Sequence, residues 1–197
     1  MNKPIPPKHD NWQRCALTGE AALPSALLCF VLDPTGRVVF DFKQNLPVQQ
    51  RLWLTAKKRV VEQACAGQVF VKLGENASCP ADLPEKVQHF MLRHMQETLH
   101  LLRRSGALVS GFEKVKQAIV QQKAVALVQA GDASADGREK LAKLAMHHHI
   151  PVITHLQREA LAAITGQENQ AHLAVLHGGL AAGFIEESKR LAVYCEV

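Results

Sequence analysis

The run Arg51-Leu-Trp-Leu-Thr-Ala-Lys-Lys-Arg59 holds the densest set of residues with chemistry to offer. It reads as a strand end or loop that passes into a helix. Thr55 suits an N-cap, because its hydroxyl can accept a first-turn N–H. Ala56 then falls at N1, and Lys57, Lys58 and Arg59 follow at N2 to N4. Cations at that end oppose the helix dipole. Three together beside unpaired N–H groups make sense when an anion sits there, because helix N-termini bind phosphate. Trp53, two residues before the cap, offers a ring on which a base can stack. Arg14, Arg37 and Lys43 add charge in the same part of the chain. The pattern points to a nucleic-acid contact, with RNA favoured; the competing reading is a solvated basic face with Trp53 in the core.

Other clusters carry less. Met146-His-His-His149 draws the eye, but adjacent histidines on a helix diverge, whereas zinc helices space them i, i+4. A polar helix C-terminus explains them, with His155 and His172 as further histidines the fold would have to supply. Ala130-Gly-Asp-Ala-Ser134 follows an apolar strand, where α/β proteins place ligands; Asp132 or Ser134 can equally turn the chain and cap the next helix. His177-Gly-Gly179 reads as a turn. Cys15 beside Arg14 reads as a small buried hydrophobe rather than a reactive thiol. There is no nucleophile elbow, zinc-protease helix or dinucleotide fingerprint. A non-enzymatic protein with no cofactor and no metal is expected.

Charge follows the same division. The chain has 197 residues and a formal net charge of +5. Residues 1–80 hold 10 Lys+Arg against 6 Asp+Glu, net +4, and residues 81–197 hold 13 against 12, net +1. A polyanionic partner is favoured by the first part. Apolar content of 47% and charged content of 21% are those of a globular chain. The five cysteines form no C-x-x-C pair, so a reducing cytoplasm is expected rather than a disulfide framework. Residues 1–10 carry no apolar signal region and read as a flexible tail. No apolar run is long enough to span a membrane.

The elements that must position these residues alternate. Leu27–Leu32 and Arg37–Phe42 flank Asp33-Pro-Thr-Gly36, which predicts a β-hairpin. The helix after Thr55 sets Val60, Val61, Ala64 and Cys65 on one face and stops at Gly67. Gln68–Leu73 reads as a third strand. Residues 74–84 hold one glycine and two prolines and mark a domain boundary. A long helix follows from Pro84 to Arg104, with an apolar stripe through Val87, Phe90, Met91, His94, Thr98 and Leu101, widened by Met95, Leu99 and Leu102. Beyond it come a strand at 107–109, a helix capped by Ser110, and a central strand at 124–130. Helices near 136–148, 157–165 and 179–191 then alternate with strands at 150–154 and 172–176. Such alternation indicates a layered α/β domain.

Two families resemble these segments. Arg14-Cys-x-x-Thr-Gly-Glu20, the hairpin ending Val38-Val-Phe-Asp41, Leu46-Pro47, Leu52-Trp-Leu54 and the Lys/Arg-headed helix resemble the bacterial YlxR family. These are small α/β proteins regarded as RNA-binding and often encoded near transcription-termination and translation-initiation factors. Ala107-Leu-Val-Ser-Gly-Phe112, the strand ending Ala130-x-Asp-Ala-Ser134, Ile150-Pro151 and Leu161-Ala-x-x-x-Gly166 resemble the kink-turn-binding ribosomal proteins. Two departures accompany the likeness. Val48-Gln-Gln-Arg51 stands where YlxR proteins carry Gly-Arg-Gly. Glu113, Lys114 and Gln117 stand where kink-turn binders carry Asn, Glu and Lys.

The resemblance implies a two-domain α/β protein. A small N-terminal domain with a short β-sheet covers residues 10–83, and an α-β-α sandwich covers 84–197. It implies a cytoplasmic RNA-binding protein acting in transcription, translation or RNA processing. Arg14, Lys43, Arg51, Lys57, Lys58 and Arg59 would contact phosphates, Trp53 would stack a base, and Lys114 and Lys116 would add a weaker surface. Structured RNA, the ribosome or transcription and translation factors are the expected partners, and no membrane. The alternative is a protein–protein interaction module of the same machinery.

Overall fold

The computed structural model describes residues 11–195. The expected tail over residues 1–10 lies outside the described residues. The fold is mixed α/β: small sheets come first, and an α/β/α sandwich fills the C-terminal half. The described residues divide into two compact units, 11–88 with 193–195, and 89–192.

In the first unit β1 (Gln13–Arg14) pairs antiparallel with β2 (Ala21–Ala22). The central strand β3 (Leu27–Leu32) lies between β4 (Val38–Phe40) and β5 (Leu52–Thr55), antiparallel to both. The predicted hairpin is present. Its turn is tied by Asp33, whose carboxylate accepts the Thr35 N–H (2.8 Å) and the Arg37 N–H (3.0 Å). Gly36 takes φ +81°, a turn position that suits glycine. Helix α1 (Lys58–Ala66) buries Val60, Val61 and Ala64, the expected face. Phe30 on β3 packs on Phe40 (5.7 Å) and edge-on to Phe70 (5.3 Å).

Three expectations for this part are corrected. Residues Val69–Leu73 form a 3-10 helix, not a third strand; Gln68 takes φ +54° and turns the chain too sharply for extension, while Phe70 and Leu73 are buried. Thr55 ends β5 and does not cap α1. Against the expectation of a chain without a disulfide framework, Cys65 and Cys79 are joined as a disulfide across 14 residues, with Cα atoms 5.9 Å apart. Their pairing depends on the turn at Gln68–Gly74, which folds the chain back and which residue spacing does not announce.

Helix α2 (Leu83–Arg104) starts within a residue of its predicted place. Val87, Met91, Met95, Thr98, Leu99 and Leu102 are buried, whereas Phe90 and Leu101 are exposed at 43% and 48%. The covered stripe is therefore narrower than the apolar one. After β6 (Leu108–Ser110), α3 (Phe112–Val120), β7 (Ala124–Gln129), α4 (Ala135–His147), β8 (Val152–Ile153), α5 (Arg158–Thr165), β9 (His172–Leu176) and α6 (Ala181–Cys195) complete the alternation. The sheet order is β6-β9-β7-β8, so β7 is internal, as its unbroken apolar run requires. β9 is antiparallel to β6 and β7, and β8 is parallel to β7. Val115 and Ile119 of α3 and Leu141 and Ala145 of α4 pack with Leu127 and Ala174 on one face of the sheet. Elsewhere in this unit, Arg103 of α2 donates to the Ile164 carbonyl on α5 (2.6 Å), and His94 of α2 pairs with Glu187 of α6 (3.1 Å). Among the described residues no helix is long and apolar enough to cross a membrane.

Candidate nucleic-acid interface

The N-terminal site residues are set by β1, β5 and the start of α1. The Ala16 N–H donates to the Trp53 carbonyl (2.8 Å), and Cys15 bridges Trp53, so the β1 segment lies beside β5. Arg14 is exposed there, and Trp53 is half-buried. On β5, Leu52 and Leu54 are buried and Trp53 and Thr55 lie on the alternate face.

Thr55 is engaged elsewhere. Its N–H donates to the Cys15 sulfur (3.3 Å), and its hydroxyl donates to Glu20 (3.4 Å). The Thr18 N–H also donates to that sulfur (3.4 Å). Burial pushes the Cys15 thiol up, but these bonds from Thr18 and Thr55 outweigh it and bring the thiol down to about 7. Cys15 is thus buried, as read from the sequence, and structurally bonded. Arg14 and Glu20 charges are not what tune it.

The N-cap of α1 is Lys57, in extended conformation and without a side-chain cap. No acidic residue stands in the first turn. The N–H groups of Lys58 and Arg59 consequently have no intrahelical acceptor. Lys57 and Arg59 are exposed. Lys58 reaches Glu85 at 3.0 Å, and hydrogen bonding to that carboxylate holds its ammonium above the usual lysine range. The helix end therefore keeps its positive character, with two solvent-facing cations and one occupied by Glu85.

Arg51 has an internal partner. The Asp41 carboxylate is 3% exposed, pairs with Arg51 (3.6 Å) and accepts the N–H groups of Asn45 (3.3 Å) and Leu46 (3.2 Å). Arg51 also donates to the Leu46 carbonyl (2.6 Å). Its guanidinium organises the 41–51 loop, a role that only the closure of that loop on itself reveals. Lys43 is exposed on the same loop. Gln44 donates to the Pro24 carbonyl (3.1 Å), which places Lys43 near the Leu27 end of β3, where Thr55 also pairs. Lys43 and the α1 start thus flank one end of the sheet.

In the sandwich, Gly111 rather than Ser110 is the N-cap of α3, at φ +92°. The Ser110 hydroxyl instead donates to Gln167 (3.2 Å). Lys114 and Lys116 are exposed on the first turns of α3, as is Glu113. Asp132 does not cap α4; its carboxylate accepts the N–H of Arg158, the first residue of α5 (2.8 Å), whose N-cap is Gln157. Ser134 occupies the N-cap position of α4 without a side-chain bond.

His147 ends α4 and His148 is its C-cap, so the triplet is a helix terminus, as its divergent directions suggested. The fold brings His177 to it: His147, His148, His149 and His177 line an open depression of about 570 Å3. Among the described residues, no group of three or more His, Cys, Asp or Glu is arranged to hold a metal ion. His172 lies elsewhere, 8% exposed, against Gln129 (3.4 Å) and edge-on to Phe112 (5.9 Å).

Residues 93–182 match the model of the ribosomal protein L7Ae/L30e/S12e/Gadd45 family. No curated protein matches the chain. Among solved structures, the chain is similar to a protein of unknown function from Bacillus halodurans C, with 21% identity, a TM-score of 0.46, and coverage of 48% of this chain and 96% of that one. It is also similar to the 15.5kD RNA binding protein of Giardia lamblia, with 14% identity, a TM-score of 0.45, and coverage of 52% of this chain and 89% of that one.

Proposed function

We propose that this protein is a non-enzymatic, cytoplasmic RNA-binding protein of the transcription, translation or RNA-processing machinery. A YlxR-like domain over residues 10–83 would precede the sandwich domain over 84–197. The observation that carries the reading is the match of residues 93–182 to the ribosomal protein L7Ae/L30e/S12e/Gadd45 family. Structured RNA is the ligand class that such a domain suggests.

The N-terminal domain supplies the electrostatic grip. Lys57, Arg59, Arg14 and Lys43 are exposed. The unpaired N–H groups of α1 point the same sign of charge at a phosphate. Lys58 joins them if RNA displaces Glu85. Arg51 contributes by holding the loop against Asp41, and Trp53 offers part of its ring to a base. Lys114 and Lys116 form a second, weaker contact. Since Glu113 and Lys114 replace the Asn-Glu pair that grips sheared G·A pairs, kink-turn selectivity is not part of the proposal.

The test is the variant Lys57→Ala/Lys58→Ala/Arg59→Ala, checked for folding by circular dichroism. Each lost phosphate contact lowers the salt slope by roughly 0.7 on a single strand and roughly 0.9 on a duplex, so three lower it by about 2 to 3. RNA affinity should fall at least tenfold at low salt, on the order of 1.4 kcal/mol. Unchanged affinity at moderate salt would show that the site is wrong. Salt-insensitive capture of a protein from nuclease-treated lysate, with no RNA affinity, would favour the interaction module instead.

A further inference from the structure

We propose that the depression beside the Val48–Arg51 loop is a pocket for a single nucleobase, with adenine preferred, read by the amides of Gln49 and Gln50. The proposal rests on the RNA-binding reading and adds base selectivity to it. The depression measures about 280 Å3 and is lined by Leu32, Val48, Gln49, Gln50 and Leu73. Three of these are aliphatic and two are neutral amides. Small-molecule sites generally begin at about 300 Å3, so this one suits a flat heterocycle rather than a dinucleotide or cofactor.

The chemistry of the lining selects among ligands. No charged side chain borders the depression, so a phosphate placed there would find no counter-charge. Aliphatic walls suit the faces of a base. Each glutamine offers a carbonyl acceptor and two N–H donors. An amide matches the adjacent donor and acceptor of adenine in bidentate fashion. Single-stranded bases are recognised in this way, by stacking or apolar contact on the face and hydrogen bonds on the edge.

The loop that carries the amides is already held in place. Asp41 accepts the Asn45 and Leu46 N–H groups and pairs with Arg51, and Arg51 donates back to the Leu46 carbonyl. The Val48 N–H donates to the same carbonyl (2.9 Å). Gln49 and Gln50 therefore project from a segment clamped on both sides, which lowers the ordering cost of binding. Leu32 and the cation-bearing end sit at opposite ends of six-residue β3, roughly 17 Å apart at the rise of a strand. One short oligonucleotide can reach both.

The experiment measures binding of the full chain to short single-stranded homopolymers of adenine, uracil and cytosine by fluorescence anisotropy. Wild type should prefer the adenine homopolymer by about tenfold, the order supplied by one bidentate amide–base pair. In Gln49→Ala/Gln50→Ala the preference should vanish while the salt slope is unchanged. In Lys57→Ala/Arg59→Ala all affinities should fall and the preference should persist. Equal wild-type binding of the three homopolymers, or an adenine preference that survives the double glutamine change, overturns the pocket and leaves the RNA reading standing. Loss of base-independent affinity in the glutamine variant assigns the loop to another ligand and also overturns it. Binding of no homopolymer and no structured RNA at low salt defeats the RNA reading and the pocket together.

Discussion

At the scale of single residues, buried polar groups show which side chains serve the fold. Asp41 is a buried carboxylate whose acceptor sites are taken up by backbone N–H groups and Arg51, so the arginine that looked like a phosphate ligand is first a structural counter-ion. Cys29, opposite Trp53 on the paired strand, is pushed up to about 12 by burial and then by the Asp41 charge, so it stays a thiol. His172 and His155 are held below the usual histidine range by burial. Their unfolded forms take up protons near pH 6.5 while the folded forms do not. The stability they permit is complete above about pH 6.5 and is lost as pH falls through the lowered folded values. Urea midpoints measured at pH 7.5 and 5.5 should drop with acidity, and His155→Asn/His172→Asn should flatten that dependence. A dependence as steep in the variant would assign it to other groups.

At the scale of elements, the disulfide ties the last turn of α1 to the segment before α2. That segment already bonds to the hairpin, since the Ser78 N–H donates to the Gly36 carbonyl (2.9 Å) and the Val38 N–H to the Ser78 carbonyl (2.9 Å). The bond closes a chain loop of 14 residues in sequence separation. Closing a loop of that length restricts the unfolded chain by about 3 kcal/mol in the entropic model. Dithiothreitol, or Cys65→Ser/Cys79→Ser, should lower the urea midpoint of the N-terminal part accordingly. An unchanged midpoint would mean that the pair contributes nothing to stability.

At the scale of the molecule, charge and architecture are unevenly shared. The first 80 residues carry net +4 of the total +5, together with the exposed cations of α1. A fragment of residues 84–197 holds α6 and all of α2 except its first residue, Leu83, and keeps the Tyr194 hydroxyl with its acceptor, the Pro84 carbonyl (2.8 Å). Under the proposed division at 83/84 that fragment should unfold cooperatively by itself, and it should bind RNA with a shallower salt slope than the whole chain. A non-cooperative melt would move the boundary. The compact units, which group residues 84–88 and 193–195 with the N-terminal part, indicate where it would move.

The alternation of apolar strands and amphipathic helices from Leu83 onward was legible in sequence order, because each period reflects one face that must be buried. The hairpin at Asp33–Gly36 was legible because turn chemistry is local. The basic character of residues 57–59 was legible as composition. The N-caps were not: Thr55 and Ser110 have the right side chains, yet β5 extends through Thr55 and Gly111 takes the left-handed position before α3. Strand pairing decides the first boundary and is not encoded in residue type; the second turns on a positive φ that glycine permits but does not require. Nor could spacing pair Cys65 with Cys79, bind Arg51 to Asp41, or set Gln49 and Gln50 beside Leu32 and Leu73. Each of those depends on a chain reversal that brings distant residues together. The sequence determined the layered α/β class and the sign of the charge; only the tertiary structure decided which cations remain free and which side chains line a pocket.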